Sequence, residues 1–388
     1  MGKLLESSRI LWIEAQLRAP PLVQRNVIPR LHEAKEIIRS LIKPYLTVYQ
    51  LQGQGQGGSL TVILASSGDS KPFLKSILFA NEPLEREMGR VPVSRLSELA
   101  NTFSGDIVII EAATHLVRRL PRQNAIVMPP RVELMLDVQG DWQDVRRRLH
   151  RSVRFHDLRL IRKYGYEYES SHSDQDFELF YHDMYLPSMK VRHAELASPE
   201  SFREAYQYFR HGWLFLVKRD GNYVSGGLCQ ARQGIVNFKL TGVIKADEQL
   251  MHEGAQAAVY YAVIHWANQE GYETINFEGC RSYVGTGLFQ YKRKWGSAVN
   301  LPPHQHKQIW IKVLRNKPAV FRFLRDNPCI IFDEKGKLQA LIVTDDPASV
   351  TPEIEATWRK KYETPGLSGL LILSMADLLK EPTYEGQQ

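Results

Sequence analysis

The order of short elements between residues 176 and 298 constrains the fold of this chain most strongly. Apolar residues recur at helical spacing or in strand-length runs, and turn residues separate them. In chain order, the predicted elements are helices over 176–189 and 198–209, strands over 213–218, 223–232 and 235–243, a helix over 254–269, a strand over 273–277 and a short helix or turn over 288–295. This order predicts an α/β unit with a mixed sheet flanked by helices.

Local signals support several of these boundaries. Ser198, Pro199 and Glu200 provide an N-cap residue followed by proline at the first helical position. The residues Arg-Asp-Gly-Asn at 219–222 are typical of a hairpin between two strands. The helix over 254–269 carries one apolar stripe and is followed by Gly271, a common helix stop.

The remaining sequence predicts further units, since 388 residues exceed one ordinary domain. Residues 1–45 have helical periodicity and predict an N-terminal helical extension, and 60–138 alternate between short strands and helices. The glycine-rich stretch 52–58 lacks the Lys-Ser/Thr of a phosphate-binding loop and is interpreted as a mobile hairpin loop. Residues 307–388 contain three strand-like runs and are expected to form a small C-terminal extension without a chemical motif.

Composition excludes several classes of protein. Hydrophobic residues make up 43% and charged residues 24% of the chain, which is typical of globular proteins and argues against extensive disorder. No apolar run approaches the roughly 20 residues that cross a bilayer. Charged residues in the first turns (Lys3, Glu6 and Arg9) argue against a secretory signal, so a cytoplasmic location is expected.

Cysteine and histidine spacing does not predict a metal site. Cys229, Cys280 and Cys329 are odd in number and form no CxxC pair, so they are interpreted as buried thiols, with a nucleophilic role for Cys280 as the alternative. Four histidines have no accompanying carboxylate pattern, and no metal is predicted; they are His150, His156, His304 and His306.

The positive charge is concentrated in one segment. Residues 146–163 contain eight basic residues and one acidic residue, a difference equal to the net charge of +7. Arg147, Arg151, Arg154 and Arg162 are expected on one helical side, where guanidinium groups could bind phosphates of a nucleotide-linked or lipid-linked sugar, or of tRNA. The alternative is a solvated face between domains; nucleic-acid binding as the main purpose is disfavoured because no reading motif accompanies the charge.

Three stretches of the chain resemble the FemAB/BioF2-like branch of the GNAT acyltransferase superfamily. They cover about half of the chain: residues 133–168 with an arginine-rich helix and Lys163-Tyr-Gly, Gly226-Gly227 in the middle strand, and residues 257–296, which end in Gln-Tyr-Lys-Arg-Lys-Trp-Gly. The resemblance implies two tandem GNAT-like domains, with a splayed sheet that exposes backbone groups at a gap between two parallel strands. The expected bounds are 46–165 for a degenerate first domain that ends in the arginine-rich helix and 166–306 for the acyltransferase domain.

The resemblance also implies transfer of an acyl or aminoacyl group to an amine of a cell-envelope, glycan or polysaccharide precursor. Acyl-CoA and aminoacyl-tRNA both remain open as donors, and no pyridoxal chemistry is implied. The loop that holds pyrophosphate in CoA-binding relatives is similar to residues 251–256, in which Gly254 and Ala255 are the expected cofactor contacts. This loop keeps a single glycine, and Glu253 adds a carboxylate.

Within the resemblance, Lys292 is the candidate for stabilising a developing oxyanion, and Glu278 is a candidate base or substrate clamp. Tyr291 and Trp295 are expected to fix Lys292 and line the substrate site. Lys239, Lys190 and Arg192, with the neighbouring His193, are expected to line the acceptor cleft; the alternatives are a solvated basic turn at 292–294 and a strand-capping role for Glu278. A catalytically idle GNAT-fold module that binds an anionic carbohydrate or a partner protein is the alternative function.

Overall fold

The computed structural model describes residues 45–66, 70–102, 104–193, 199–303 and 305–379, with isolated positions before residue 45. The predicted helical extension over 1–45 therefore lies almost entirely outside the described residues. The chain forms two compact units. Unit A contains Glu133–Gly279 and Tyr291–Ala298, and unit B contains residues 45–132, Cys280–Gln290 and residues 299–379 among those described.

The strands are β1 (Tyr45–Gly55), β2 (Gly58–Ser66), β3 (Leu84–Pro92), β4 (Ile107–Ala113), β5 (Ala125–Met128), β6 (Arg131–Asp137), β7 (Glu167–Ser171), β8 (Trp213–Arg219), β9 (Asn222–Arg232), β10 (Ile235–Val243), β11 (Thr274–Arg281), β12 (Ala298–Asn300), β13 (Lys307–Val313), β14 (Cys329–Phe332), β15 (Leu338–Thr344) and β16 (Leu370–Ser374). The α-helices are α1 (Lys71–Leu78), α2 (Leu99–Thr102), α3 (Thr114–Val117), α4 (Trp142–Arg148), α5 (Leu158–Lys163), α6 (Asp174–Leu179), α7 (Leu186–His193), α8 (Phe202–Arg210), α9 (Glu248–His252), α10 (Ala255–Gln269), α11 (Gly287–Arg293), α12 (Pro318–Asp326), α13 (Pro352–Tyr362) and α14 (Met375–Leu379). Two π-helical segments, Val153–Asp157 and Phe180–Tyr185, precede α5 and α7.

The sheet of unit A has the strand order β6-β11-β10-β9-β8-β7, with β12 beyond β6. Strands β7 to β10 pair antiparallel in sequence, and Arg219 pairs with Asn222 across the predicted hairpin. Strand β11 follows α10 and pairs parallel with β10. This arrangement confirms the predicted mixed sheet and its element order.

Helices cover both faces of this sheet. On one face, α10 packs with α4, α5 and the segment between them, and Val145, Ile161 and Val263 share one buried core. On the other face, α6 to α8 form a second core. A Cβ added at Gly226 would lie 2.8 Å from the Phe180 ring, and one added at Gly227 would lie 2.6 Å from Val259, so both glycines permit close helix packing.

One predicted helix start is wrong. Helix α8 begins at Phe202, because Ser201 and Glu204 form a reciprocal capping box at its N-terminus. The proline-based start at Ser198 would have placed the helix several residues earlier. A capping box satisfies two backbone N–H donors at once. Proline at the first helical position is compatible with a helix start but supplies no such hydrogen bond.

Unit B contains a six-stranded sheet with the order β3-β1-β2-β4-β13-β5 and a three-stranded sheet with the order β14-β15-β16. The glycine-rich stretch closes the β1–β2 hairpin, in which Gly55 pairs with Gly58. Strand β13 pairs antiparallel with both β4 and β5. Strand β13 is therefore an integral part of the unit B sheet rather than the start of an appended extension, because Ile309, Trp310 and Ile311 are each 2% exposed and need cover on both faces.

The division of the chain differs from the predicted boundary at residue 165. Strand β6 from Glu133 onward and the arginine-rich segment belong to unit A together with residues 166–279. Their apolar side chains, including Leu136 and Leu149, enter the same core as α10. No helix within the described part of the chain is long and apolar enough to cross a membrane.

Candidate active site

The parallel strands β10 and β11 pair over only three residue positions in unit A. The last pair is Asn237 with Asn276, although both strands continue beyond it. On its other side, β10 has a register shift between Phe238 and Leu240, which leaves Lys239 at a bulge opposite β9. The strands therefore separate where polar side chains of β10 and β11 come together.

These side chains form a polar cluster of Glu133, Lys239, Asn276, Glu278 and Lys292. The Lys239 ammonium lies 2.5 Å from Glu278 Oε1, and Asn276 donates its side-chain N–H to Glu133 Oε2 at 3.0 Å. The backbone N–H of Glu278 donates to Asn276 Oδ1 at 2.8 Å. Asn276 is buried, and Glu278 and Lys239 remain partly exposed. The cluster thus combines two carboxylates and two ammonium groups at the strand separation.

Lys292 contacts the backbone of Glu278 rather than its carboxylate. Its Nζ donates to the carbonyl oxygens of Glu278 at 3.0 Å and Gly279 at 3.2 Å. Glu278 has a φ of 63°, a left-handed conformation that L-residues with a Cβ seldom adopt. Lys292 is 5% exposed, so the interpretation of Lys292 as part of a solvated turn is wrong. The ammonium stabilises the two carbonyls that directly follow this backbone kink.

Glu133 is the member of the cluster that sequence reasoning missed. It lies on β6, where Val132, Leu134 and Leu136 are fully buried on the opposite face. Burial raises the pKa of the Glu133 carboxyl, and the negative charge of Glu278 raises that pKa further. The sequence signal that could have identified Glu133 is a glutamate that alternates with aliphatic residues along a strand.

Tyr291 and Trp295 anchor the segment that carries Lys292. Trp295 is 0% exposed and stacks on Tyr260 at 5.3 Å between ring centroids. The Tyr291 ring meets the edge of Tyr260 at 5.1 Å. The expectation that Trp295 binds substrate is therefore wrong, because its ring is enclosed in the core around α10. That both rings fix the position of Lys292 stays a prediction.

The neighbouring basic residues are also engaged. Lys294 lies 2.9 Å from Asp157 Oδ2 and above the Tyr291 ring at 4.3 Å. Burial lowers the pKa of the Arg293 guanidinium. Residues 292–294 are consequently a packed segment of unit A rather than a freely solvated basic turn.

The loop before α10 has a packing explanation. Gly254 has a φ of 98°, and a Cβ there would lie 3.1 Å from Leu160 Cβ. Ala255 is fully buried, so its side chain offers no surface to a cofactor. The Glu253 carboxylate is paired with Arg219, whose hydrogen bond lowers the pKa of Glu253. The carboxylate at this loop is therefore compensated within the protein.

Among the predicted acceptor residues on α7, Lys190 is the one whose side chain is described, and it contacts no member of the polar cluster. Lys190 is exposed on this helix. The Ser188 hydroxyl donates a hydrogen bond to the Val243 carbonyl oxygen and accepts one from the Val243 backbone N–H, at the end of β10. Arg192 and His193 lie at the end of α7, and their side chains are outside the described part of the structure. Of the predicted acceptor residues with described side chains, Lys239 joins the polar cluster.

The arginine-rich segment forms a separate surface feature, here called the arginine groove. It is an open groove of about 380 Å³ lined by Gln143, Arg146, Arg147, Arg154, Phe155, Arg159 and Arg162. Arg147, Arg154 and Arg162 were predicted on one side, and they line the groove together. Arg151 instead lies with its guanidinium 5.7 Å from the Phe155 ring centroid.

All three cysteines are free and buried, as predicted. Burial raises the pKa of the Cys229 thiol and raises that of Cys329 to about 12. Cys280 is 3% exposed, which disfavours the alternative that it is a nucleophile. Among the described residues, no group of three or more His, Cys, Asp or Glu side chains is arranged to hold a metal ion.

The strand order, the crossover through α10 and the separated parallel strands give unit A the GNAT arrangement that the resemblance implied. No family model and no curated protein matches the chain. Solved structures similar to the chain include FemX, with 12% identity, a TM-score of 0.37 and coverage of 79% of this chain and 96% of that one. L-PGS from Bacillus licheniformis has 13% identity, a TM-score of 0.33 and coverage of 71% and 87%.

A GCN5-related N-acetyltransferase from Sphaerobacter thermophilus is also similar, with 14% identity, a TM-score of 0.31 and coverage of 54% of this chain and 61% of that one. At TM-scores below 0.5, these likenesses carry no argument about the fold or the residues of this chain.

Proposed function

We propose that this chain is a GNAT-fold acyltransferase that transfers an acyl or aminoacyl group to an amine of a cell-envelope, glycan or polysaccharide precursor. The observation that carries the proposal is the polar cluster at the separation of β10 and β11. Parallel strands that part in this way expose backbone groups to an extended ligand. A carboxylate with a raised pKa next to that opening suits proton transfer.

In the proposed reaction, the acceptor amine attacks the carbonyl carbon of a thioester or ester donor. A C–N bond forms, the C–S or C–O bond breaks, and the amine loses one proton. Glu133 accepts that proton, since a carboxylate with a raised pKa is a stronger base than an ordinary one. The proton then passes to the leaving thiolate or alkoxide.

Glu278 and Lys239 bind the reacting groups in this scheme. The Glu278 carboxylate is partly exposed and serves as a clamp for the amine. Lys239 and the buried Lys292 place positive charge near the oxyanion that develops on the donor carbonyl. Lys292 also holds the left-handed backbone of Glu278 in position.

Acyl-CoA and aminoacyl-tRNA remain the two proposed donors, and no metal is required by the scheme. The test is incubation of the purified chain with each donor class and a panel of amines, with product detection by mass spectrometry. Glu133→Gln and Glu278→Gln should reduce transfer by about 100-fold, in the usual range for a lost acid–base group. Glu167→Gln, on an exposed position of β7, is the matched control and should transfer normally.

The second candidate is a catalytically idle GNAT-fold module that binds an anionic carbohydrate or a partner protein. The loop at 251–256 favours it, because Gly254 and Ala255 are explained by packing alone. Persistent absence of product with both donor classes, together with binding of an anionic carbohydrate, would establish this candidate and reject the transferase.

A further inference from the structure

The helices that line the arginine groove and the Glu133–Asn276 pair of the polar cluster lie on opposite faces of the unit A sheet. The helices that line the groove pack their apolar sides against α10, in the same core as Ile275 and Phe277 of β11. Asn276 alternates with these two residues and therefore points to the other face. A ligand in the arginine groove is consequently separated from the Glu133 carboxyl and Asn276 by the sheet.

The groove presents an unusual concentration of guanidinium groups. Five arginines line a volume of about 380 Å³, and no carboxylate is among the described residues that line it. Asp144 pairs with one groove arginine, Arg147, at 2.6 Å, and Asp157 pairs with Lys294 outside the lining residues. Arg146, Arg154, Arg159 and Arg162 therefore leave the groove strongly positive.

Arg154 adds a specific indication of a ligand. Its Nε is buried and, among the described residues, donates to no acceptor. A buried donor without an acceptor costs free energy that an incoming oxygen would recover. Phe155 lies beside it with 67% of its surface exposed, and the Arg151 and Arg154 guanidinium groups lie 5.7 and 5.9 Å from its ring centroid.

We infer that the arginine groove binds a diphosphate-bearing small molecule, with its phosphates on Arg154, Arg159 and Arg162 and its organic group against Phe155. Guanidinium groups bind phosphate oxygens in pairs, and the groove volume lies in the usual range for small-molecule sites. Two sources share this chemistry: a nucleoside diphosphate, whose base would stack on the ring, and an isoprenoid diphosphate, whose chain would cover it.

Two macromolecular ligands fit the groove less well. An RNA backbone needs a basic track along its length, whereas residues 146–163 account for the whole net charge of the chain. Binding to a bilayer surface requires several apolar side chains that insert into it, whereas Phe155 is the single exposed large hydrophobic residue in the described segment 142–163. A small polyphosphate requires neither an extended track nor an apolar face.

The proposal is independent of acyl transfer and is tested by binding. Calorimetric titration with inorganic pyrophosphate, uridine diphosphate and geranyl diphosphate should detect binding by the wild-type chain. Arg154→Gln with Arg159→Gln should weaken it by at least about tenfold, because two charge-assisted contacts are lost. Arg86→Gln with Arg90→Gln, on exposed positions of β3, changes the charge equally and should leave binding unaltered.

A second pair of variants covers the case in which the glutamine variant fails to fold. Arg154→Lys with Arg159→Lys keeps the charge but removes the planar guanidinium groups, which donate paired hydrogen bonds to phosphate, so this variant should also bind more weakly. Phe155→Leu separates the two sources, because leucine keeps an apolar contact but cannot stack on a base: weaker binding of the preferred diphosphate indicates a stacked base, and unchanged binding indicates an apolar chain. Equal losses in the β3 control, or wild-type binding only to RNA or anionic vesicles, would overturn the proposal.

Discussion

The ammonium group of Lys292 lies 3.0 Å from the backbone carbonyl oxygen of Glu278, at the point where Glu278 takes a left-handed backbone conformation. The same ammonium reaches the carbonyl of Gly279. A strained backbone at one position persists only when its surroundings compensate for it. Lys292 is therefore placed to determine where the Glu278 carboxylate points, in addition to supplying charge.

Replacement of Lys292 by methionine should affect stability and transfer together. Lys292→Met removes two charge-assisted hydrogen bonds and leaves buried carbonyls, so the free energy of unfolding should fall by about 1 to 3 kcal/mol. Displacement of Glu278 should slow transfer by about 100-fold. Urea denaturation and the mass-spectrometric assay measure the two effects. The exposed Lys190→Met is the control, and equal behaviour of the two variants would contradict this role.

The left-handed backbone of Glu278 predicts an inverted preference between glycine and alanine. Alanine is strained at this φ by about 1 to 2 kcal/mol and glycine is not. Glu278→Gly should therefore be more stable than Glu278→Ala by about 1 kcal/mol. Both variants lack the carboxylate and should lose transfer equally.

Thermal and urea denaturation measure this difference in stability. Glu167 is the control position, because it is an exposed strand residue whose φ is not positive. There, the alanine variant should be more stable than the glycine variant. Greater stability of Glu278→Ala than of Glu278→Gly would show that the backbone relaxes to an ordinary conformation.

The raised pKa of Glu133 predicts a pH dependence of stability. Since the folded state binds this proton more tightly than the unfolded state, the stabilising contribution is fully present below the ordinary carboxyl pKa. It is lost as pH rises through the raised pKa of the folded state. The difference in unfolding free energy between wild type and Glu133→Gln should therefore decrease with rising pH across this window, as measured by urea denaturation at several pH values.

The same group predicts the pH profile of transfer. A general base acts when deprotonated, so the rate should rise with pH above the ordinary carboxyl range and level off above the raised pKa of Glu133. Glu133→Gln should lack this rise. A variant profile with an unchanged rise would assign the titrating group to another residue.

Trp295 is expected to affect stability far more than substrate binding. Trp295→Ala removes a fully buried ring that stacks on Tyr260, and the free energy of unfolding should fall by about 3 to 5 kcal/mol. Trp295→Phe should cost less and retain the wild-type KM, because the ring does not reach the surface. A raised KM with unchanged stability would indicate a substrate contact after all.

Local sequence patterns were sufficient to predict most of the unit A strands and the helix α10. Alternation of apolar residues, the Asp-Gly hairpin and the apolar stripe with its glycine stop are properties of neighbouring residues. Glu278, Lys239 and Lys292 became candidate site residues through the family resemblance, and the structure brings them together. Local patterns could not distinguish a capping box at Ser201 from a proline-based start at Ser198, since both are valid helix-start signals.

Only the tertiary structure placed Glu133 beside Asn276, 143 positions away in sequence. Strand β6 pairs with β11, and β13 pairs with β4 and β5. These pairings depend on which apolar strand faces are buried by other elements, and that burial depends on the whole chain. By contrast, the sequence alone determined that the arginines share one helical segment, because they are close neighbours along the chain. Their separation from Glu133 and Asn276 was decided by the sheet, because the segment buries its apolar side on the face occupied by α10.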